Sequence, residues 1–378
     1  MSLDLLNKKV QAVNVTNSNS QDLVFAKIIN YDQVNKYLTV EDINGNPYIF
    51  KMTDQTAILM YGVNYNLANF TSNFSQGKRV NIQLSKQTVT SISLATQLTG
   101  VITDINATTK QITVKSGSQN VSFTMAFAPS IELYGKPSAT LSDLNIGDSV
   151  TLDLNPGQQD TILKITATST KQYKVLLAYS TSRQITLQDA AGNNLVITLD
   201  TSVPIVAEGK VSPTFSDILA DDYLKLSFKG NTITNAEIVS PVRGKVLAVD
   251  AGAGTLTVQD FAGLTKLVTI GANATVTGNG NAQTTLAAVQ VGDRVQVVKN
   301  GDGNMNVKVA TALQRTFVAY NGGTNTLSFT STAGSDSYIM SPRVYLHKGT
   351  DSLAITGFAA NDAVTVYLID GRVIEMEK

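Results

Sequence analysis

Gly244-Lys245-Val246-Leu247-Ala248-Val249-Asp250, then Leu256-Thr257-Val258, then Gly292-Asp293-Arg294-Val295: this stretch decides the fold, because its parts recur along the chain. The Leu-Thr-Val triplet has counterparts at Leu38-Thr39-Val40, Ile112-Thr113-Val114, Ile185-Thr186-Leu187 and Leu327-Ser328-Phe329. The last residues of the five are 74, 73, 71 and 71 positions apart. The Gly-Asp-Arg-Val element has counterparts at Gly77-Lys78-Arg79-Val80, Gly147-Asp148-Ser149-Val150, Asp221-Asp222-Tyr223-Leu224 and Asn361-Asp362-Ala363-Val364, with steps of 70, 74, 71 and 69. Two landmarks keeping one period are the signature of a repeat architecture. They predict five β-modules of about seventy residues, at 24–97, 98–171, 172–241, 242–313 and 314–378, after an N-terminal tail at 1–23.

Each repeat reads as β structure. The opening strand alternates apolar and polar residues (Val101-Ile102-Thr103-Asp104-Ile105), and a turn leads to the threonine-bearing strand. Asn44-Gly45 and Gly192-Asn193 are hairpin-closing pairs before a third strand such as Leu195-Val196-Ile197-Thr198-Leu199. A short fourth strand follows, as in Ile131-Glu132-Leu133-Tyr134 or Val344-Tyr345-Leu346-His347. Leu141 and Leu144, Phe215 and Ile218, Leu286 and Val289, and Ile355 and Phe358 are spaced for one helical turn, and Ser142-Asp143 and Ser216-Asp217 are suited to capping it. A final hairpin turns at Asn155-Pro156-Gly157, Gly230-Asn231, Asn300-Gly301-Asp302-Gly303 or Asp370-Gly371. The fold class expected is all-β: five small, closed or nearly closed antiparallel barrels or sandwiches, each with one short helical turn. With short linkers, one stiffened by Ser240-Pro241, five beads in an extended string reach on the order of 130 Å.

In the Gly-Asp element, glycine supplies a positive φ as the chain leaves the helical turn, and asparagine at 361 tolerates the same region. The aspartate is expected to accept from a backbone amide two residues further on. Lys78 stands in its place in the first repeat, so a structural corner rather than a site is expected.

Composition excludes several classes of function. Lys+Arg and Asp+Glu are 29 each in 378 residues, and charged residues make up 15%, so the basic footprint of a nucleic-acid binder is missing. There is no cysteine, which removes disulfides, thiol catalysis and Cys-ligated metal. No apolar run is long enough for a membrane helix, and residues 1–20 hold no apolar core of signal-peptide length. If exported, the chain is expected to be a mature form or an excised piece.

The pattern of a Gly-x-Val/Ile opening strand (Gly100-Val101-Ile102, Gly244-Lys245-Val246), Ile-Thr-Val, a helical turn and Gly-Asp-x-Val resembles the tandem β-repeat region of bacterial surface-layer (S-layer) and related Gram-positive cell-wall proteins. The resemblance covers nearly the whole chain, most fully in the second and fourth repeats. It implies a secreted structural protein at the bacterial cell surface that self-associates into a lattice or filament, with no enzymatic activity. Such proteins usually carry further domains for cell-wall polymer, and none is visible here, which suggests a fragment. An adhesin or glycan-binding module array is the alternative, with specificity in the variable loops.

The remaining candidates for chemistry are few. His347 is the one imidazole, and its counterparts, roughly Met60, Tyr134 and Thr277, share no chemistry with it, so an ordinary strand-end side chain is expected. Asp221-Asp222 is the one adjacent pair of aspartates, but neighbours on a strand point apart, which argues against paired hydrolytic acids. Asp42-Ile43-Asn44-Gly45-Asn46 and Asn300-Gly301-Asp302-Gly303-Asn304 place oxygens at alternate positions, so calcium at turns is possible, although hairpins select these residues for backbone reasons. Gly252-Ala253-Gly254 and Gly278-Asn279-Gly280 lack the helix that would aim amides at a phosphate. Tyr61, Tyr65, Phe70 and Phe74 read as packing beneath an insertion or, less plainly, as a contact surface for a subunit or glycan. No catalytic, cofactor-binding or metal-ligating residue is therefore assigned.

Overall fold

Short alternating stretches bounded by Gly, Asn and Asp make strands of nearly every apolar segment. The computed structural model describes the backbone of residues 2–6 and 9–14, and residues 22–60, 63–86, 88–271, 273–278, 283–301 and 303–378. Among the described residues helical structure is confined to 3-10 turns at Leu67–Asn69, Leu141–Asp143, Phe215–Asp217, Leu286–Ala288 and Ile355–Gly357, and one α-turn at Phe70–Asn73. The chain is all-β, with four of its helical turns, at 141–143, 215–217, 286–288 and 355–357, where the spacing of three placed them. The N-terminal segment contains a hairpin of Ser2–Leu6 with Lys9–Asn14.

Two compact units divide the chain: Met1–Ser169 with Phe228–Thr232, and Thr170–Ser227 with Ile233–Lys378. One strand, Thr161–Tyr179, contributes its beginning to the first unit and its remainder to the second. In the first unit, Leu23–Asp32, Tyr37–Glu41, Pro47–Lys51, Arg79–Ser85 and Thr88–Leu94 close into a ring through the Lys51–Thr88 pairing. Gln97–Asn106, Gln111–Ser116, Gln119–Glu132, Ser149–Leu154 and the start of Thr161–Tyr179 close a second ring. In the second unit, Thr311–Asn321, Thr326–Ser331, Gly334–Lys348, Ala363–Ile369 and Arg372–Glu377 form another closed ring. The sheet spanning residues 242–309 stays open, since Thr265–Thr269 pairs with Thr255–Asp260 alone among the described strands; Asn194–Thr198 likewise pairs only with Gln184–Gln188.

The rings are not purely antiparallel. Thr124–Glu132 runs parallel to Thr161–Thr166, Ala57–Leu59 to Ser91–Ser93, Ile205–Ala207 to Ala236–Ile238, Thr275–Thr277 to Asn306–Lys308, and Ile339–His347 to Arg372–Glu377. The number of reversals is the cause. The chain turns back after the fourth strand, in antiparallel pairings such as Ala57–Met60 with Val63–Tyr65 and His347–Lys348 with Asp351–Ser352 that precede the helical turn. The final hairpin reverses it again, and the last strand returns parallel to the fourth. In Gln119–Glu132 and Gly334–Lys348 the expected third and fourth strands are one continuous bent strand.

The Gly-Asp element makes a corner five times over. Its first residue has positive φ each time: Gly77 (+89°), Gly147 (+98°), Asp221 (+71°), Gly292 (+100°) and Asn361 (+75°). That residue's amide donates to the carbonyl of Ile28, Ile102, Val175, Val246 or Phe317, and the same strand residue donates back to the carbonyl of the corner's second residue. Just past that point the opening strand carries a register shift in every case, between Ile28/Asn30, Ile102/Asp104, Val175/Leu177, Val246/Ala248 and Phe317/Ala319. Such bulges add the local twist that lets a small sheet curl toward closure. The corner aspartate caps in the direction opposite to that expected: Asp148, Asp222, Asp293 and Asp362 accept from the amide three residues before them, that of Asn145, Leu219, Gln290 and Ala359. The reason is a tight turn that the aspartate closes from both sides, since its own amide donates to the carbonyl of that same earlier residue, Asn145, Leu219, Gln290 or Ala359.

Separate apolar clusters follow the sheets. One holds Ile28, Leu38, Val80 and Ile92, another Ile102, Ile112, Val150 and Ile165, a third Val246, Leu256, Val295 and Val307, and a fourth Phe317, Phe329, Val366 and Met376. Within the second unit, segments from separate repeats touch through charged side chains. Asp370, from the last sheet, is bonded both by Lys174 (2.7 Å) and by Lys308 (2.7 Å). Ionic contacts of this kind bring the segments of residues 170–239 and 311–377 together across the sheet between them in sequence.

Candidate functional site

The corner at Asp221-Asp222 is the place where polar chemistry concentrates. The helical turn Phe215–Asp217 delivers the chain to it, and the strand Tyr223–Lys229 leaves from it. Because the two residues form a corner rather than a strand, both carboxylates turn inward: Asp221 is 4% and Asp222 2% exposed. Asp222 holds the Arg343 guanidinium (2.9 Å) and accepts from the Leu219 amide. Arg343 also donates to Ser240 Oγ. Asp221 Oδ1 lies 3.2 Å from Arg372 Nε, whereas its Oδ2, 3.9 Å from Arg243 Nη2, has no hydrogen-bond partner. Arg243 is fixed by Gln296 and Ser341, 2.8 Å each. Burial pushes the Asp222 carboxyl above the usual carboxylate value despite Arg343. Burial also holds Arg243 below its ordinary value against the pull of Asp221 and Asp222. Tyr223 is pushed up to about 12 by burial, with Asp370 adding to the effect.

A cleft of about 300 Å³ opens beside these charges, with Pro241, Phe261, Val344 and Tyr345 on its apolar side. Phe261 and Tyr345 stack on each other, 5.1 Å between centroids. Asp260 stands at the cleft too, but both its oxygens are engaged, by the amides of Ala262 and Leu264 and by Lys266.

A second knot surrounds His347. The imidazole is buried and stacks on Tyr345; its Nδ1 lies 2.8 Å from the Gly349 carbonyl and its Nε2 3.0 Å from Glu375 Oε1. Both nitrogens thus face oxygen atoms. Glu375, 2% exposed, receives Arg294 Nε on both oxygens, at 2.7 and 2.8 Å. Glu377 brings a third ligand-type atom within 4.8 Å of these two, but a cation there would compete with a guanidinium already in place. His347 is therefore an anchored core histidine rather than a simple strand-end side chain.

The other candidates resolve into local structure. Asp42 Oδ1 accepts from the Asn44 and Asn46 amides, and its Oδ2 from Asn46 Nδ2 and the Tyr48 hydroxyl, so the oxygens offered to calcium are engaged. Burial opposes ionisation of Asp42, yet these hydrogen bonds prevail and hold its carboxyl low. The same turn recurs at Asp189 and at Asp260, four residues before the amide that closes each loop. An Asp-x-x-Gly spacing (Asp42/Gly45, Asp189/Gly192, Asp260/Gly263) announces it in sequence, and it passed unrecognised as a third landmark. Asp302, Asn279, Gly280 and Tyr61 lie outside the described residues. Phe70 and Phe74 are buried and stack at 5.1 Å, with Tyr31 edge-on to Phe70, which makes them core. Sequence reasoning missed Arg243, Arg294, Arg343, Arg372 and Glu375; of these Arg294 alone lies in a recurring element, Gly292-Asp293-Arg294-Val295, and the others carry no local pattern.

No family model matches the chain, and no curated protein does either. Among solved structures, a crystal structure of a multidomain protein with nucleic acid binding domains from Streptococcus pneumoniae TIGR4 is similar at 11% identity, covering 60% of this chain and 76% of that one, with a TM-score of 0.15. A likeness at that score carries no argument about fold or function.

Proposed function

We propose that the chain is a series of five β-modules of about seventy residues from a bacterial surface-layer or related cell-wall protein, and that it works by lateral self-association. The observation that carries this reading is the five-fold corner, with one backbone conformation, one pair of hydrogen bonds to the opening strand and one bulge beyond it. Repetition of a whole local geometry supports copies of one unit, and copies of one unit offer repeated contacts whose weak affinities multiply. The edge strands Asn194–Thr198 and Thr265–Thr269 leave Val196 and Leu267 exposed, which suits strand-edge or face contacts between copies. Zero formal net charge reduces repulsion between identical chains. The charged residues that might suggest catalysis are engaged with each other: Asp222 with Arg343, and Glu375 with Arg294 and His347.

Negative-stain electron microscopy of the concentrated chain, with sedimentation velocity alongside, tests the proposal. Sheets, tubes or filaments that disassemble on dilution are the expected result. A monomer at every concentration, with no ordered assembly on the grid, would overturn it.

A further inference from the structure

The corners of the first and fourth repeats, Gly77-Lys78-Arg79-Val80 and Gly292-Asp293-Arg294-Val295, are the two of the five that carry arginine at the third position. Both guanidiniums lie over an aromatic ring, Arg79 at 5.2 Å from the centroid of Phe25 and Arg294 at 4.7 Å from that of Tyr367. They differ in what meets their donors. Arg294 Nε donates to both oxygens of Glu375. Among the described residues the hydrogen bonds of Arg79 belong to its backbone, which Gln159 and Ala95 hold, and its guanidinium has no acceptor. The guanidinium is not sealed off either. The buried side-chain atoms without a partner are Ser169 Oγ, Asp221 Oδ2, Asn306 Oδ1 and Asp336 Oδ1, so the Arg79 nitrogens keep accessible surface. Partial burial holds Arg79 below its ordinary pKa, with Glu41 opposing the shift, and a cation so placed gains from an anion brought to it.

A cleft of about 510 Å³ within the first unit is lined by Arg79 together with Phe25 and Phe123. Phe25 is held at φ +58° with its amide on Asn81 Oδ1, and its ring joins the cluster of Ile102 and Ile165, 6.4 Å from the Phe123 ring. The guanidinium over Phe25 is thereby fixed at the cleft wall. Charge then decides the ligand class. Lys78, whose Nζ donates to the Gly157 carbonyl, and Arg79 stand against Asp160, which leaves one net positive charge. A monoanion balances that charge, whereas a dianion would exceed it and face Asp160. The planar guanidinium suits the two oxygens of a carboxylate, and the fourth repeat already has a carboxylate on its corner arginine. Ser122 and Gln158 add neutral polar groups, and the volume lies within the range of small-molecule sites. We propose that this cleft binds a small polar monocarboxylate, with the carboxylate on Arg79.

Saturation-transfer NMR on the full chain tests this with two monocarboxylates, glucuronate and N-acetylalanine, and with their neutral counterparts, glucose and N-acetylalaninamide. Inorganic phosphate serves as a competitor. Transfer to at least one carboxylate is expected, well above that to its neutral counterpart. A stronger signal from glucuronate identifies a sugar acid as the source, and a stronger one from N-acetylalanine an amino-acid or peptide terminus. Arg79→Met keeps an apolar stem on Phe25 and removes the charge, so it should weaken binding about tenfold or more. Gln158→Trp adds bulk to the cleft from an exposed hairpin position and should abolish binding even if the first variant disturbs folding. Absence of transfer to either carboxylate, equal transfer to a carboxylate and its neutral counterpart, or equal transfer in the wild type and Gln158→Trp would overturn the assignment. So would phosphate displacing the carboxylates at a lower concentration than acetate does.

Discussion

Replacing Arg294 by methionine removes a guanidinium that is nearly buried and shares its Nε–H between both oxygens of Glu375. The carboxylate is then left 2% exposed with His347 as its remaining partner. Breaking a buried pair in this way costs about 3–5 kcal/mol, because the surviving charge has lost its compensation. For a unit of roughly two hundred residues that is a fall of about 6–20 °C in Tm. Glu375→Leu should cost a similar amount, since among the described residues Arg294 keeps the Gly292 carbonyl, the Tyr367 ring and the distant Glu377. The double substitution puts two apolar chains in the same space and should recover most of the loss, leaving a coupling of at least 2 kcal/mol. Urea unfolding followed by tyrosine fluorescence suits a chain without tryptophan, with calorimetry for Tm. Single substitutions costing under about 1 kcal/mol, with a double equal to their sum, would refute the view that this knot ties the sheet of residues 242–309 to the last one.

Gly244→Ala places a methyl against the Gln259 carbonyl oxygen and 2.9 Å from Asp260 Cα, both backbone, so a loss of about 3 kcal/mol is expected in urea unfolding, against under about 1 kcal/mol for Gly252→Ala, where the space is nearly open. Burial opposes ionisation of Asp370, but Lys174 and Lys308 outweigh it and hold its carboxyl below 3.8. Its stabilisation is accordingly present above that pH and is lost as pH falls through the lowered folded value, so Asp370→Asn should destabilise at pH 7 and progressively less as the pH is taken below 3.8, read from unfolding curves. Gly147→Asp tests the bare strain of a charged residue at a corner: φ is +98° and no atom lies near its Cβ, so about 1–2 kcal/mol should be lost with nothing in return. Millimolar calcium should leave Tm within about 1 °C, because the Asp42, Asp189 and Asp260 carboxylates are bonded to their own turns.

What could be read from sequence was whatever a short stretch of backbone demands of its own residues. Positive φ at the corners requires Gly, or Asn at 361; one helical turn requires apolar residues three apart; hairpins require Asn-Gly. These recur because the demand recurs. Direction and partnership were harder. Asp148 could cap forward or backward, and the turn in which its own amide donates to the Asn145 carbonyl brings the Asn145 amide to its carboxylate. The parallel pairing of fourth and last strands depends on how many times the chain reverses between them, which no single segment shows. Arg243, Arg343 and Arg372 converge on Asp221-Asp222 from positions far apart in sequence. Nothing periodic marks them, because contacts between sheets follow from packing rather than from local conformation.

That difference explains how copies of one corner come to do different things. At Gly147, exposed, the position answers only to the backbone, and glycine is the least strained solution. At position 221 the same backbone is buried among arginines from later segments, so a side chain there meets charges that no other corner meets. Aspartate accepts the steric cost of positive φ because Arg372 binds one of its oxygens, and the other lies buried 3.9 Å from Arg243. Asp222 keeps the cap to Leu219 that its counterparts make and gains Arg343 in addition. The corner therefore retains its local duty while taking on a second one set by its neighbours. A repeat acquires individual chemistry in this way, at positions where a conformation shared by every copy happens to face a contact that only one copy has.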